Sequence, residues 1–285
     1  MLNVLTIDIE DWFHICGIQS LKPIEEWDNY ESRVLNNTTR LLEILKKKNI
    51  TATFFVLGWI AEKHPEVIEQ ILKYNNNHEI ASHGYSHKLI YEMTPREFEN
   101  DLLKSIIAIK KCIGESKDIL GYRAPSFSIN NKTEWAFKIL IRNGIKYDSS
   151  IFSGIRGQGG IIDGKYNRTS IFPIKRDDNK LIEIPFAMGK LFMKNIAPGG
   201  GYFRIFPYIV TRRIINNINN IQKKPAIFYL HPRDIDPYQP TLKMSMYRHL
   251  KSYSGLKSTS EKLYKLLKDF KWISMRSLLI SRGLL

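Results

Sequence analysis

Apolar residues along the chain follow two alternating patterns. Leu2 to Ile9, Thr51 to Leu57 and Ala226 to Leu230 are short unbroken runs that read as buried strands, and Glu79 to Ser82 is a shorter one. Elsewhere apolar positions recur at helical spacing. This predicts helices over 38–48, with Leu41, Leu42 and Leu45 on one face, over 65–74 and over 95–113. Thr94-Pro95-Arg96-Glu97 opens the last of these: Thr94 caps, Pro95 suits the first helical position, Glu97 completes a capping box, and Gly114 stops the helix. Asn131, with Glu134 three residues on, predicts another helix start, and Gly144 ends that helix. Ile119 to Tyr122 and Ile145 to Tyr147 complete the strands of this half. Gly58 is expected to end the strand before it. Strands alternate with helices up to Ser150, which predicts an α/β fold with a parallel sheet or barrel, with polar residues gathered after the strands.

The pattern changes after Ser150. Residues 151–180 are Gly-rich and polar and read as a long loop with short strands, and Leu181 to Pro185 as a strand. Pro198-Gly199-Gly200-Gly201-Tyr202-Phe203-Arg204 reads as a Gly-rich turn, Pro207 to Ile221 as a helix, and 256–280 as a helical tail with a basic face. The Ala226 to Leu230 strand delivers His231. Residues 1–150 are therefore expected to form a catalytic core and 151–285 an extension of the same domain.

Composition narrows the class. A chain of 285 residues with 43% hydrophobic and 25% charged residues suits one large soluble domain. Its two cysteines, Cys16 and Cys112, allow one disulfide at most, and a reducing environment fits best. No signal peptide or membrane span is read from the sequence, so a cytoplasmic, membrane-adjacent location is expected. The formal charge of +15 suits an acidic polymer, a lipid pyrophosphate or an anionic membrane surface, although Lys scattered among Asn and Ile also reads as a general compositional bias. No nucleic-acid-binding module is recognisable, and no nucleic-acid partner is expected.

The candidate chemistry begins at Ser82-His83-Gly84-Tyr85-Ser86-His87, where two histidines four apart can share one face of a helical turn and reach one metal ion. Asp8, Glu10 and Asp11 crowd a strand end, where they repel one another unless a cation or an arginine sits among them. Asp8 and Glu10 face the same side of a strand, so one can bind metal while the other acts as base. Two histidines and a carboxylate leave an open position on zinc, where a water becomes a nucleophile. Arg123-Ala124-Pro125-Ser126-Phe127 supplies a loop with a cation, and His231, at a strand end, can protonate a leaving amine.

These residues resemble the polysaccharide deacetylases of carbohydrate esterase family 4, the NodB-homology domain. Five segments match in order: Thr6 to Asp11, Thr53 to Gly58, His83 to His87, Arg123 to Phe127, and Leu230-His231-Pro232. Asp8 to His14, Tyr147 to Phe152, Gly199 to Arg204 and His231 to Pro237 further resemble a subgroup found with exopolysaccharide and exosortase gene clusters, which has its own C-terminal extension. The resemblance implies a distorted (β/α) barrel with fewer than eight strands. It implies Asp8 as general base, Arg123 holding Asp8, His231 as general acid, and His83 and His87 as ligands of a divalent metal, zinc foremost. Many relatives carry adjacent aspartates where this chain has Asp8-Ile9-Glu10-Asp11; relatives with Asp-x-Asp take the third ligand two residues after the base, which favours Glu10, with Asp11 as the alternative. A backbone N–H near Ser126 or Phe127 is expected to bind the oxyanion. Trp12, Phe127, Tyr202 and Arg204 are expected to contact substrate. The implied reaction releases acetate from an N-acetylated glycan, polymeric or lipid-linked. The competing readings are a small or O-acetylated substrate, or an inactive glycan-binding domain.

Overall fold

The computed structural model describes residues 1–18, 20–75, 77–153, 166, 168–176, 178–191 and 194–285. Strands β1 (Leu2–Ile9), β2 (Thr53–Val56), β3 (Glu79–Ser82), β4 (Gly121–Tyr122) and β5 (Tyr147–Asp148) lie side by side in parallel. An antiparallel pair, β6 (Phe172–Arg176) and β7 (Asn179–Glu183), extends this sheet, with β7 parallel to β5. β8 (Gly189–Leu191) and β9 (Lys194–Ile196) form a separate hairpin. β10 (Ile227–Leu230) returns to pair with β1, which gives the order β10-β1-β2-β3-β4-β5-β7-β6, and β11 (Lys271–Ile273) pairs with the start of β1. Among the described residues the sheet has nine strands, more than the expected fewer than eight; seven in a row, β10 to β7, run parallel, and the unclosed sheet is consistent with the expected α/β distorted barrel.

The helices are α1 (Val34–Lys46), α2 (Gly58–Lys63), α3 (Pro65–Tyr74), α4 (Pro95–Ile113), α5 (Trp135–Arg142), α6 (Gly200–Ile205), α7 (Tyr208–Asn216), α8 (Met246–Tyr253), α9 (Leu256–Asp269) and α10 (Met275–Ser281). Among the described residues none is long and apolar enough to cross a membrane.

The period-two geometry of β1 decides where the chemistry sits. Leu5, Ile7 and Ile9 join Leu41, Leu42 and Ile68 in the core under the helices. Val4 faces the other way, into a second core with Phe55, Ala81, Tyr147 and Tyr229. Thr6 and Asp8 share the Val4 face, so the strand carries its polar groups into the barrel interior toward its C-terminal end.

Several boundaries differ from the sequence expectation. α1 starts at Val34, four residues early, because Asp11 accepts hydrogen bonds from the backbone N–H of Arg33 (2.9 Å) and Val34 (3.2 Å). Gly58 begins α2 rather than only ending β2, and its N–H donates to Gly84 O at 2.8 Å. α5 begins at Trp135, later than an Asn131 cap implies. The helical tail is broken by β11, where Trp272 turns inward and donates to Leu266 O. The Gly-rich turn at 198–199 leads directly into α6, and Gly199 and Gly200 lie so close to Tyr229 that a Cβ on either would collide with it. The capping box at Thr94 forms as expected. The loop expected over 151–180 lies partly outside the described residues.

Asp148 and Glu183 are register partners of β5 and β7, both fully buried. Burial pushes the Asp148 carboxyl up to about 6, despite hydrogen bonds from Glu183 and Ser150. Burial, and then the charge of Asp148, push Glu183 well above its usual value. The folded state therefore keeps a proton that the unfolded chain releases above about pH 4, so this pair's contribution to stability falls as pH rises from about 4, through about 6 for Asp148 and on through the raised pKa of Glu183. Glu183→Gln places a permanent N–H where that proton lies. Thermal melts are expected to show a higher Tm than wild type at about pH 8, with the gain shrinking toward about pH 4; an equal gain at both would refute the shared proton.

Candidate active site

β1 and the residue after it deliver Asp8 and Glu10, both buried, to one cavity of about 420 Å³. Glu10 Oε1 stands 3.1 Å from His83 Nε2 and 3.0 Å from His87 Nε2. His83 Nδ1 lies 2.7 Å from Arg123 O; a carbonyl only accepts, so Nδ1 carries a proton and Nε2 is the ring nitrogen turned toward Glu10. His87 Nδ1 contacts Cys16 Sγ at 3.4 Å, and His87 Nε2 is buried without a hydrogen-bond partner. Three electron-pair donors thus converge within 4.8 Å, an arrangement that fits a cation among them. Burial opposes the charge on Glu10, but His87, His231 and His83 together hold its carboxyl well below the usual range.

The two histidines do not share a helical face. His83 follows β3, and the chain then makes a tight turn with Gly84 at φ 74° and His87 at φ 55°. Asp101 of α4 builds this turn by accepting from Tyr85 N (2.7 Å), Ser86 N (2.9 Å) and Ser86 Oγ (2.5 Å). A Cβ at Gly84 would lie 2.8 Å from Asp101 Oδ2.

Asp11 stands outside this cluster. Its carboxylate accepts from Trp12 N, Ser32 Oγ, Arg33 N and Val34 N, capping α1, and burial raises its pKa in spite of them. Asp8 Oδ1 accepts from Arg123 Nη1 at 2.6 Å. Arg123 is fully buried, also donates to Thr6 Oγ1 and Ser149, and lies over the Phe55 ring at 4.1 Å.

His231 opens a 3-10 turn over Pro232–Ile235. Its Nδ1 donates to Asp234 Oδ2 at 3.0 Å, which leaves Nε2 toward Glu10 Oε1, 3.8 Å away. Burial disfavours the imidazolium, yet Glu10, Asp234 and Asp8 outweigh it and raise the His231 pKa. Asp234 also pairs with Arg204 Nε at 2.8 Å. No site role was read from the sequence for Asp234, Asp101 or Cys16; the three-residue step from His231 to a carboxylate across a proline was the available signal for the first.

Phe127 lines the cavity, and so does Arg204, whose Nη1 and Nη2 are taken by the carbonyls of Lys251, Ser252 and Ser254. Trp12 is buried, donates Nε1 to Glu31 O and packs edge-on against Phe13 and Tyr30. Tyr202 is half-exposed and stacks on Phe206. Among the described residues, neither Trp12 nor Tyr202 lines the cavity. Ser126 and Phe127 both hold positive φ, 52° and 56°, a strained pair at the cavity wall. The Phe127 N–H is given to Ala124 O at 3.0 Å, which occupies one of the two expected oxyanion donors.

Comparison with known proteins bears on this geometry. Residues 27–146 match the polysaccharide deacetylase family. Residues 149–280 match a separate family described as a domain of unknown function, DUF3473. A peptidoglycan deacetylase of Helicobacter pylori is 37% identical over 112 residues, 39% of this chain and 36% of that protein. A peptidoglycan-N-acetylglucosamine deacetylase of Bacillus cereus is 33% identical over 103 residues, 36% of each. The chain thus spans about a third of the length of these curated relatives. A crystal structure described as a polysaccharide deacetylase from Mycobacterium smegmatis superposes with a TM-score of 0.65 at 19% identity, covering 99% of this chain and 89% of that one. Another from Pseudomonas aeruginosa gives 0.60 at 15%, covering 97% and 88%. Both share the fold along nearly the whole chain. The family match over 27–146 and these two relatives both lead to polysaccharide and peptidoglycan deacetylases.

Proposed function

We propose that this chain is a metal-dependent hydrolase that removes N-acetyl groups from amino sugars of a glycan, polymeric or lipid-linked, and releases acetate. The observation that carries the reading is the convergence of Glu10 Oε1, His83 Nε2 and His87 Nε2, with His83 held through Nδ1 so that Nε2 faces Glu10. These three would hold a divalent cation, and two imidazoles with one carboxylate suit zinc. When bound, the cation would supply Lewis acidity to an acetamide carbonyl and lower the pKa of a water.

The surrounding residues have matching tasks. Asp8, oriented by Arg123, takes a proton from the attacking water as the new C–O bond forms at the acetyl carbonyl. Ser126 N–H donates to the oxygen that gains charge. His231, with Nδ1 held by Asp234, gives its Nε2 proton to the sugar nitrogen as the C–N bond breaks, so acetate and a free amino sugar leave. Residues 1–150 are read as the catalytic core, and 151–285 as an extension that completes the barrel and supplies His231. The separate family match over 149–280 supports that division and is compatible with the exopolysaccharide- and exosortase-associated subgroup.

The test is acetate release from N-acetylated oligosaccharides and sugar nucleotides by metal-loaded protein. Acetate is expected from the wild type, with none after chelation or from His83→Ala. A metal-loaded wild type that frees no acetate from peptidoglycan fragments, chitin oligomers, sugar nucleotides or lipid-linked N-acetyl sugars would reject the reading.

A further inference from the structure

The cavity is electrically two-sided. Its barrel wall presents Asp8 and Glu10; the wall contributed by residues 201–252 presents Arg204, Arg233, Arg248 and Lys251, and among the described residues no carboxylate of that segment lines it. Two of these cations are buried rather than solvated, Arg204 at 5% and Arg233 at 8% exposure. Behind them stands Asp234, which pairs with Arg204 and also holds His231. Arg233 gives Nε to Gln239 Oε1 (3.0 Å) and Nη2 to Ser252 O (3.3 Å). Arg248 gives Nη2 to Cys16 O (2.6 Å) and Nη1 to Gly17 O. Amide oxygens satisfy these donors but bring no net negative charge, so the wall keeps an excess of positive charge in a partly dry place. Burial and the neighbouring Arg204 both press the Arg233 pKa down, as expected of crowded cations. A basic outer surface explained by composition alone would leave its arginines in water, and Arg204 and Arg233 are not.

We infer that this wall binds an anionic substituent, carboxylate or phosphate, carried by the glycan whose acetamide lies at the Glu10 end of the same cavity. The charge of this wall and the guanidinium N–H groups not given to protein oxygens suit either oxyanion, and the two sides of the cavity orient the substrate between them. The inference rests on the deacetylase reading for what happens at the barrel wall, but anion binding itself does not.

Equilibrium binding to the metal-loaded full chain tests it with three N-acetylated ligands: a neutral N-acetylglucosamine oligomer, an oligosaccharide alternating N-acetylglucosamine with glucuronate, and UDP-N-acetylglucosamine. At low salt at least one anionic ligand is expected to bind about tenfold more tightly than the neutral one, with the preference shrinking as salt rises. Preference for the glucuronate ligand alone identifies a carboxylate, and for the nucleotide sugar alone a phosphate. Arg248→Gln should cut the anionic-to-neutral affinity ratio severalfold and Arg248→Lys should restore most of it. If Arg248 served only to staple the Cys16–Gly17 backbone, neither variant would change that ratio. Equal affinity for all three, no measurable binding of either anionic ligand, or a preference untouched by salt and by Arg248→Gln overturns the inference. An intact anionic preference without acetate release would instead reject the deacetylase reading and leave the anion site standing.

Discussion

Asp8→Asn is expected to lower kcat/KM for acetate release by about 100- to 10,000-fold, the range for loss of a positioned general base, while metal content stays at the wild-type level. Arg123 engages Asp8 Oδ1 at 2.6 Å, so Oδ2 is the oxygen left to accept a proton at the cavity. Asparagine keeps the shape and still accepts from Arg123 through Oδ1, but it presents an N–H pair where the acceptor stood. Glu10, His83 and His87 are untouched. Kinetics and bound-metal analysis on the same preparation separate the possible outcomes. Activity within a few-fold of wild type would remove Asp8 from the role of base. Loss of metal together with activity would move Asp8 among the ligands, in the alternative group that it forms with Glu10 and His231.

The sequence made the strand-borne part of the site legible and the turn-borne part less so. Side-chain alternation along β1 places Asp8 and Glu10 together on the inner face and needs only local information. Asp11 falls on the opposite phase, the helix side shared with Ile9, and its place at the α1 terminus is set by Ser32 and Arg33, which lie 21 and 22 residues further on. His83 and His87 were expected on one helical face because four-residue spacing suggests it. The turn they occupy is set instead by Asp101 on α4, a contact no window around the histidines contains. The same limit hid the Arg204–Asp234 pair, whose members lie 30 residues apart. β11 was invisible for a related reason. Three residues cannot declare a strand by periodicity, and Lys271–Ile273 becomes one only by pairing with Leu2–Val4 at the other end of the chain. Short elements and polar networks are fixed by tertiary contact, whereas long apolar runs and capping boxes are fixed locally.

Arg123→Met is expected to have the largest effect on stability, a loss of about 3–5 kcal/mol in chemical denaturation. The guanidinium is fully buried, with Phe55, Phe186 and Phe127 ring centroids at 4.1, 5.0 and 5.6 Å. It is the cation paired with Asp8, which is itself 2% exposed. Methionine fills much of the volume among those rings but strands the Asp8 carboxylate and removes a donor from Thr6 Oγ1 and Ser149. An exposed ion pair lost in the same way would cost at most about 1 kcal/mol, so the size of the effect reports the desolvation of the pair rather than its mere presence. Adding Asp8→Asn to Arg123→Met removes the stranded charge and should recover a large part of the loss, so that the two substitutions are strongly non-additive. A cost below about 1 kcal/mol for Arg123→Met, or simple additivity in the double variant, would mean that the pair is solvated in the native protein. The double variant should also fold and bind metal yet release no acetate, because the substitution that relieves the buried charge is the one that removes the proposed base. Stability and chemistry at this position thus meet in one ion pair, and only the four-member mutant cycle, scored for both, can separate them.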